Sequence, residues 1–103
     1  MLYRTNAHIA LPGRQLSNLC RRYHVRRLAL FGSVLRDDFR PDSDVDVLVA
    51  FEAGTHVGFL ALSRLQRELS ELIQRPVDLV PMDGLKAVIR ESVLSSAQDV
   101  YAA

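Results

Sequence analysis

Residues 31–49, FGSVLRDDFRPDSDVDVLV, place five aspartates between two hydrophobic runs, and two of these acids open the second run. Side chains alternate along a β-strand, so Asp44 and Asp46 would project from one face with their Cα atoms about 6–7 Å apart. Two bare carboxylates at this separation repel each other, and the pattern therefore predicts a cation between them. No cysteine or histidine occurs in the stretch, which favours a hard ion held by oxygen, such as Mg²⁺.

A third acid, Asp78, interrupts the apolar segment PVDLVP at residues 76–81. A carboxylate within an apolar strand is costly unless it is paired or bound to a metal. If this strand lies beside the one that Asp46 opens, Asp78 can reach the same ions or accept a proton from an attacking hydroxyl. Two ions about 4 Å apart can hold the entering and leaving oxygens of a phosphoryl displacement. The three acids therefore favour a site for hard divalent cations such as Mg²⁺.

Gly32 and Ser33 follow the first hydrophobic run and predict a turn that binds phosphate. Backbone N–H groups exposed at such a turn can donate to an anion, and glycine permits close approach. The Ser33 hydroxyl adds a donor, and Arg36, about one helical turn later, could neutralise triphosphate charge. Taken alone, Gly-Ser indicates only a turn, and Asp-x-Asp only a cap or surface pattern. In combination, these residues favour a phosphate and metal site.

The composition is that of an ordinary soluble domain: 49% of the 103 residues are hydrophobic, 24% are charged, and the formal net charge is +1. We expect one domain over residues 1–103. No apolar run approaches the roughly 18 residues of a membrane span. We find no secretory signal, so the expected location is the cytoplasm. The charge gives no firm nucleic-acid signal, and the single cysteine, Cys20, is predicted to be a buried structural thiol.

Hydrophobic periodicity predicts a succession of helices and strands. Helices are expected at residues 13–24, 57–74 and 85–97, strands at 25–32, 45–52 and 76–81, a short helical turn at 33–38, and an extended piece at 98–101. Thr55 and Asp83 are the expected N-caps of the second and third helices. The third helix should turn four apolar residues inward: Leu85, Val88, Ile89 and Val93. The order predicts an α/β (α+β) fold, a small mixed β-sheet with helices mainly on one face.

One motif in this chain is similar to the signature of the DNA polymerase beta-like nucleotidyltransferase superfamily: Gly32-Ser33, ten intervening residues, then Asp44-Val45-Asp46. The stretch at 31–49 resembles the small prokaryotic members of that superfamily, the minimal nucleotidyltransferase (MNT) group. The resemblance covers roughly residues 13–101. Two positions depart from the group's pattern: Leu35 replaces a small residue, and Asp37 replaces a glycine.

The resemblance implies a magnesium-dependent nucleotidyltransferase that holds two Mg²⁺ ions and uses ATP as its donor. It implies that the metal ligands and catalytic residues are Asp44, Asp46 and Asp78, and that the phosphate-binding residues are Gly32, Ser33 and Arg36. It also implies a partner in trans, a helical HEPN-domain protein that is often a toxin. The small enzyme would adenylylate a tyrosine of this partner and so act as its antitoxin.

Two other functions stay open. The chain could be a non-catalytic binding module that neutralises its partner by contact, with the acidic site kept as a relic. It could also modify a small molecule, although enzymes resembling the aminoglycoside-modifying group generally carry an extra helical domain. The sequence does not fix the preference for ATP over other nucleotides or the oligomeric state, and a domain of this size could form a homo-oligomer.

Overall fold

The computed structural model describes residues 2–3, 11–35 and 44–102 and contains both strands and helices. The elements are β1 Leu2–Tyr3, β2 Leu11–Pro12, α1 Gly13–Arg22, β3 Val25–Phe31, a 3₁₀ turn at Gly32–Leu35, β4 Val45–Phe51, α2 Phe59–Ile73, β5 Val77–Pro81, a 3₁₀ turn at Met82–Gly84, α3 Ala87–Ser96 and β6 Gln98–Ala102. The predicted α/β fold is confirmed. None of the helices in these ranges combines the length and apolar character needed to cross a membrane.

Strands β3 to β6 form a four-stranded mixed sheet in the order β5-β4-β3-β6. Strand β3 pairs antiparallel with β4 and with β6. Strands β4 and β5 pair parallel, because α2 carries the chain back to the starting end of β4 before β5 begins. Strands β1 and β2 form a separate two-stranded ribbon. The acidic strand β4 is therefore central, with a neighbour on each side.

The hydrophobic core lies between α1, α2 and one face of this sheet. Val45, Val47 and Val49 of β4 pack in one cluster with Leu65 and Leu69 of α2. Since side chains alternate along a strand, the residues between these valines point to the opposite face. That face is also partly covered, because Leu48 is fully buried. The pattern predicted for a central strand, apolar on both faces after Asp46, is therefore confirmed.

Cys20 belongs to the same core, on the inner side of α1. It has no exposed surface, and burial raises the pKa of its thiol to about 12. The thiol is therefore neutral at ordinary pH and packs as a small apolar side chain.

Helix α3 lies outside the core, and the expectation that Val88 and Ile89 face inward is wrong, whereas Val93 and Leu85, which precedes the helix, are half-buried. Val88 is 85% exposed and Ile89 is 45% exposed, and no residue of the helix is buried. The reason is that α1 and α2 already pack against the core face of the sheet. The expected caps are wrong too: α2 begins after Gly58 and α3 after Lys86, and neither residue makes a side-chain cap hydrogen bond.

Glu68 joins the end of α1 to the middle of α2. Its carboxylate accepts a hydrogen bond from the Tyr23 hydroxyl and another, at 2.7 Å, from Arg22 Nη2. The bond from Tyr23 and then the bond from Arg22 lower the pKa of Glu68. The same Tyr23–Glu68 bond raises the pKa of Tyr23. This link is strongest when the carboxyl is ionised and the phenol is neutral.

Replacing Glu68 by glutamine should lower the free energy of unfolding by about 1 kcal/mol near neutral pH, and this deficit should vanish in acid. A carboxyl whose pKa is lowered by folding stabilises the fold above its unfolded pKa of about 4.3, and loses that contribution as the pH falls through the folded pKa. Urea unfolding of both proteins from about pH 7 to about pH 3 measures the difference. Glu71→Gln, an exposed position on the same helix, is the control. A Glu68→Gln deficit that persists at the acid end would contradict the assignment.

Candidate active site

The chain turns at Gly32, directly after β3, with a backbone φ of 77°. Residues other than glycine rarely adopt this conformation. The Gly32 α-carbon also lies against the carboxylate of Asp46. A methyl group on Gly32 would come within 3.3 Å of Asp46 Cγ and closer still to Oδ2. Glycine is therefore required here both for the backbone angle and for the space that the Asp46 carboxylate occupies.

Asp46 is half-buried in β4, where it is paired with Phe31 of β3 on one side and with Asp78 of β5 on the other. Adjacent strands are about 4.8 Å apart, and paired residues project from the same face of a sheet. The register therefore places the Asp46 and Asp78 side chains next to each other. They lie on the face opposite to the core valines of β4.

Asp44 is exposed and directly precedes β4. The next residue, Val45, donates its N–H to the carbonyl oxygen of Pro76 at 2.8 Å. This bond ties the beginning of β4 to the residue before β5. Asp44 is thus at the same end of the two parallel strands as Asp46 and Asp78.

The side chains do not form a ready-made metal cage. As they stand, residues 11–35 and 44–102 contain no group of three or more Asp, Glu, His or Cys side chains that could hold a metal ion. The chemistry of the donors nevertheless fits a hard divalent cation, since all three aspartates offer carboxylate oxygens. A cation would also offset the repulsion between the paired carboxylates of Asp46 and Asp78.

Two of the predicted phosphate-binding side chains are not placed. Arg36 lies outside the described residues, and so does the side chain of Ser33, whose backbone belongs to the 3₁₀ turn after β3. The roles of both residues stay predictions.

A cavity of about 340 Å³ opens at the far end of β4 and β5. Phe51, Glu52 and Met82 are among its lining residues. Asp46 comes five residues before Phe51 in β4, which corresponds to about 16 Å along a strand. This cavity therefore does not belong to the acidic site.

Two residues without a predicted role, Gln66 and Ser70, accept hydrogen bonds from the backbone of β5 on either side of Asp78. One signal could have identified them. They form a polar pair at positions i and i+4 of a helix, beside its apolar stripe, and the helix leads into a short strand. Such side chains can reach the backbone of a neighbouring strand edge.

The chain matches the nucleotidyltransferase domain family over residues 14–100. It is also similar to the protein adenylyltransferase MntA of Thermococcus cleftensis, with 40% identity over 73 residues that cover 71% of this chain and 72% of the relative. The range that the family matches includes the Gly32 turn and the acidic strand β4.

Solved structures share the fold. A toxin–antitoxin crystal structure with AMP-PNP superimposes with a TM-score of 0.71 and 22% identity, over 90% of this chain and 75% of the other. A tri-AMPylated Shewanella oneidensis HEPN toxin in complex with MNT antitoxin gives a TM-score of 0.63 and 22% identity, over 88% of this chain and 70% of the other. Because the family match runs from α1 into β6, the chain belongs to the nucleotidyltransferase domain family, as one of its minimal nucleotidyltransferase members.

Proposed function

We propose that this protein transfers AMP from ATP to a tyrosine hydroxyl of a helical HEPN-domain partner and thereby acts as the antitoxin of that partner. The observation that carries the proposal is the placement of Asp46 beside Asp78 and against the Gly32 turn. The adenylyltransferase relative supports it, as do the related structures with AMP-PNP and with an AMPylated HEPN toxin.

In the proposed reaction, the acceptor oxygen attacks the α-phosphorus of ATP, the bond from this phosphorus to the bridging oxygen breaks, and pyrophosphate leaves. Asp44, Asp46 and Asp78 are the residues that would hold Mg²⁺, which when bound supplies positive charge that balances the phosphates. Backbone N–H groups of the turn that begins at Gly32 would donate to a phosphate of ATP. Asp78, exposed on β5, would accept the proton of the acceptor hydroxyl.

A non-catalytic antitoxin that neutralises its partner by contact is the second candidate. One observation favours it: the three aspartates, as they stand, do not form a group that could hold a metal ion. Such a protein would need its partner-binding surface but not its acidic site.

Incubation with the helical partner, Mg²⁺ and ATP labelled at the α-phosphate separates these functions. We expect label on the partner with the wild type and none with Asp44→Ala, and mass spectrometry of the product should place AMP on a tyrosine. Asp83→Ala, which removes an exposed acid just beyond the far end of β5, is the matched control and should still label the partner.

Full neutralisation of the partner by Asp44→Ala, with no label in any reaction, would instead favour the contact mechanism. Label that appears only on an added small-molecule alcohol would indicate a small-molecule nucleotidyltransferase.

A further inference from the structure

Strand β5, which carries Asp78, is an edge of the four-stranded sheet and has β4 as its only neighbour there. The outer side of an edge strand presents backbone N–H groups that need partners. In β5 these partners are side chains of α2. Leu79 donates its N–H to Gln66 Oε1 at 2.9 Å, and Val77 donates its N–H to Ser70 Oγ at 3.1 Å. Pro81, the next residue of the same parity, has no N–H.

The Ser70 hydroxyl is bonded on both sides. It accepts from the Val77 N–H and donates to the Gln66 carbonyl oxygen at 2.9 Å. The Ser70 carbonyl oxygen accepts the N–H groups of Gln74 and Arg75 at 2.8 and 3.1 Å. The end of α2, the turn after it and the beginning of β5 therefore share one set of hydrogen bonds.

Helix α2 is itself a fixed support, because Leu65 and Leu69 are fully buried in the core. Gln66 and Ser70 each directly follow one of these leucines in the sequence, so their positions are set by the same packing. Asp78, in contrast, is exposed and has little packing of its own. Its location depends on how β5 is held, and the two bonded N–H groups flank it at positions 77 and 79.

We propose that Gln66 and Ser70 are positioning residues for the transfer reaction: by holding the outer edge of β5, they keep Asp78 in register beside Asp46. This inference rests on the proposed function, since it assigns the two residues to the same acidic site. They touch neither donor nor acceptor, and they act through the backbone on either side of Asp78.

The test compares Gln66→Leu and Ser70→Ala with Gln66→Glu, which keeps an acceptor oxygen for the Leu79 N–H. Tyr23→Phe is the matched control, because it removes a hydrogen bond of α2 to Tyr23, at the end of α1, and leaves β5 untouched. Amide hydrogen exchange should become about fivefold to tenfold faster at Leu79 in Gln66→Leu and at Val77 in Ser70→Ala. Exchange at Leu48 of β4 should stay unchanged.

The second readout is metal binding, followed by Mn²⁺-induced broadening of amide signals in β4 and β5. Loss of a residue that orients a metal ligand typically weakens metal binding about tenfold or more. We therefore expect about tenfold weaker Mn²⁺ binding in Gln66→Leu, with a matching rise in the Mg²⁺ concentration for half-maximal transfer. Gln66→Glu and Tyr23→Phe should resemble the wild type. Ser70→Ala is the smaller change. If Gln66→Leu does not fold, amide exchange and Mn²⁺ binding are measured on Ser70→Ala instead.

The inference would be overturned, and the proposed function would stand, if the wild type is active and Gln66→Leu and Ser70→Ala both keep its Mn²⁺ binding and Mg²⁺ dependence. The same holds if Leu79 and Val77 exchange no faster. A wild type that neither binds Mn²⁺ nor transfers AMP would overturn the proposed function, and the inference with it.

Discussion

Asp46→Asn is expected to abolish nucleotidyl transfer while leaving the free protein as stable as the wild type, or slightly more stable. Asparagine has the shape of aspartate, so it fits against Gly32 and keeps its place between Phe31 and Asp78. It removes one of two neighbouring negative charges, and their repulsion disappears with it. The same change removes a charged metal ligand from the proposed site. We expect a loss of at least about a thousandfold in transfer rate.

Thermal unfolding with and without Mg²⁺ and ATP checks this expectation independently of the acceptor. A ligand at a hundred times its Kd stabilises a folded protein by about 2.7 kcal/mol. The wild type should show a shift of this order and Asp46→Asn almost none. Asp83→Asn, with its exposed acid beyond the far end of β5, should behave like the wild type. Equal ligand-induced shifts in the wild type and Asp46→Asn would show that Asp46 does not hold the metal.

Gly32→Ala is expected to destabilise the protein and to abolish transfer as well. Two costs add at this position. A residue other than glycine with φ near 77° costs about 1–2 kcal/mol, and the new methyl group would overlap the Asp46 carboxylate. To relieve the overlap, the Asp46 side chain must move away from the place it holds beside Asp78. Urea unfolding and the transfer assay measure the two effects.

Gly54 offers a matched control within the same chain. Its φ is 82°, but a methyl group there would meet no atom within 4 Å. Gly54→Ala should therefore lose only the stability that a positive φ costs a residue other than glycine, and it should retain transfer activity. In an Asp46→Ala background, the carboxylate that the methyl group of Gly32→Ala would overlap is absent. The stability cost of Gly32→Ala should then fall to that of Gly54→Ala. An unchanged cost would show that the contact with Asp46 does not matter.

The parts of the site that could be predicted from sequence depend on local rules. A glycine after a buried strand predicted the turn at Gly32. Side-chain alternation also predicts that Asp44 and Asp46 share one face, and this stays a prediction because Asp44 precedes β4. A helix between two strands is typical of a parallel crossover, and in the structure it brings β5 beside β4. The one-to-one pairing of Asp46 with Asp78 required the register of that crossover, and local patterns do not encode it.

The features that could not be predicted depend on tertiary context. Val88 and Ile89 lie at helical spacing to be buried, but α1 and α2 occupy the core face, so α3 stays exposed. Thr55 suits an N-cap, yet the helix begins four residues later, at Phe59. Gln66 and Ser70 resemble ordinary polar positions of an amphipathic helix. Their bonds to β5 arise only when the helix and the strand are packed together.

The hydrogen bonds between α2 and β5 also limit how copies of this protein can aggregate. An unprotected sheet edge recruits strands from other molecules, and an endless fibre requires two such edges in every molecule. With the N–H groups of Val77 and Leu79 already bonded and Pro81 lacking one, these residues of the β5 edge offer no N–H group to an incoming strand. Because endless growth needs both edges of the sheet, the protection of β5 disfavours a fibre built through the four-stranded sheet.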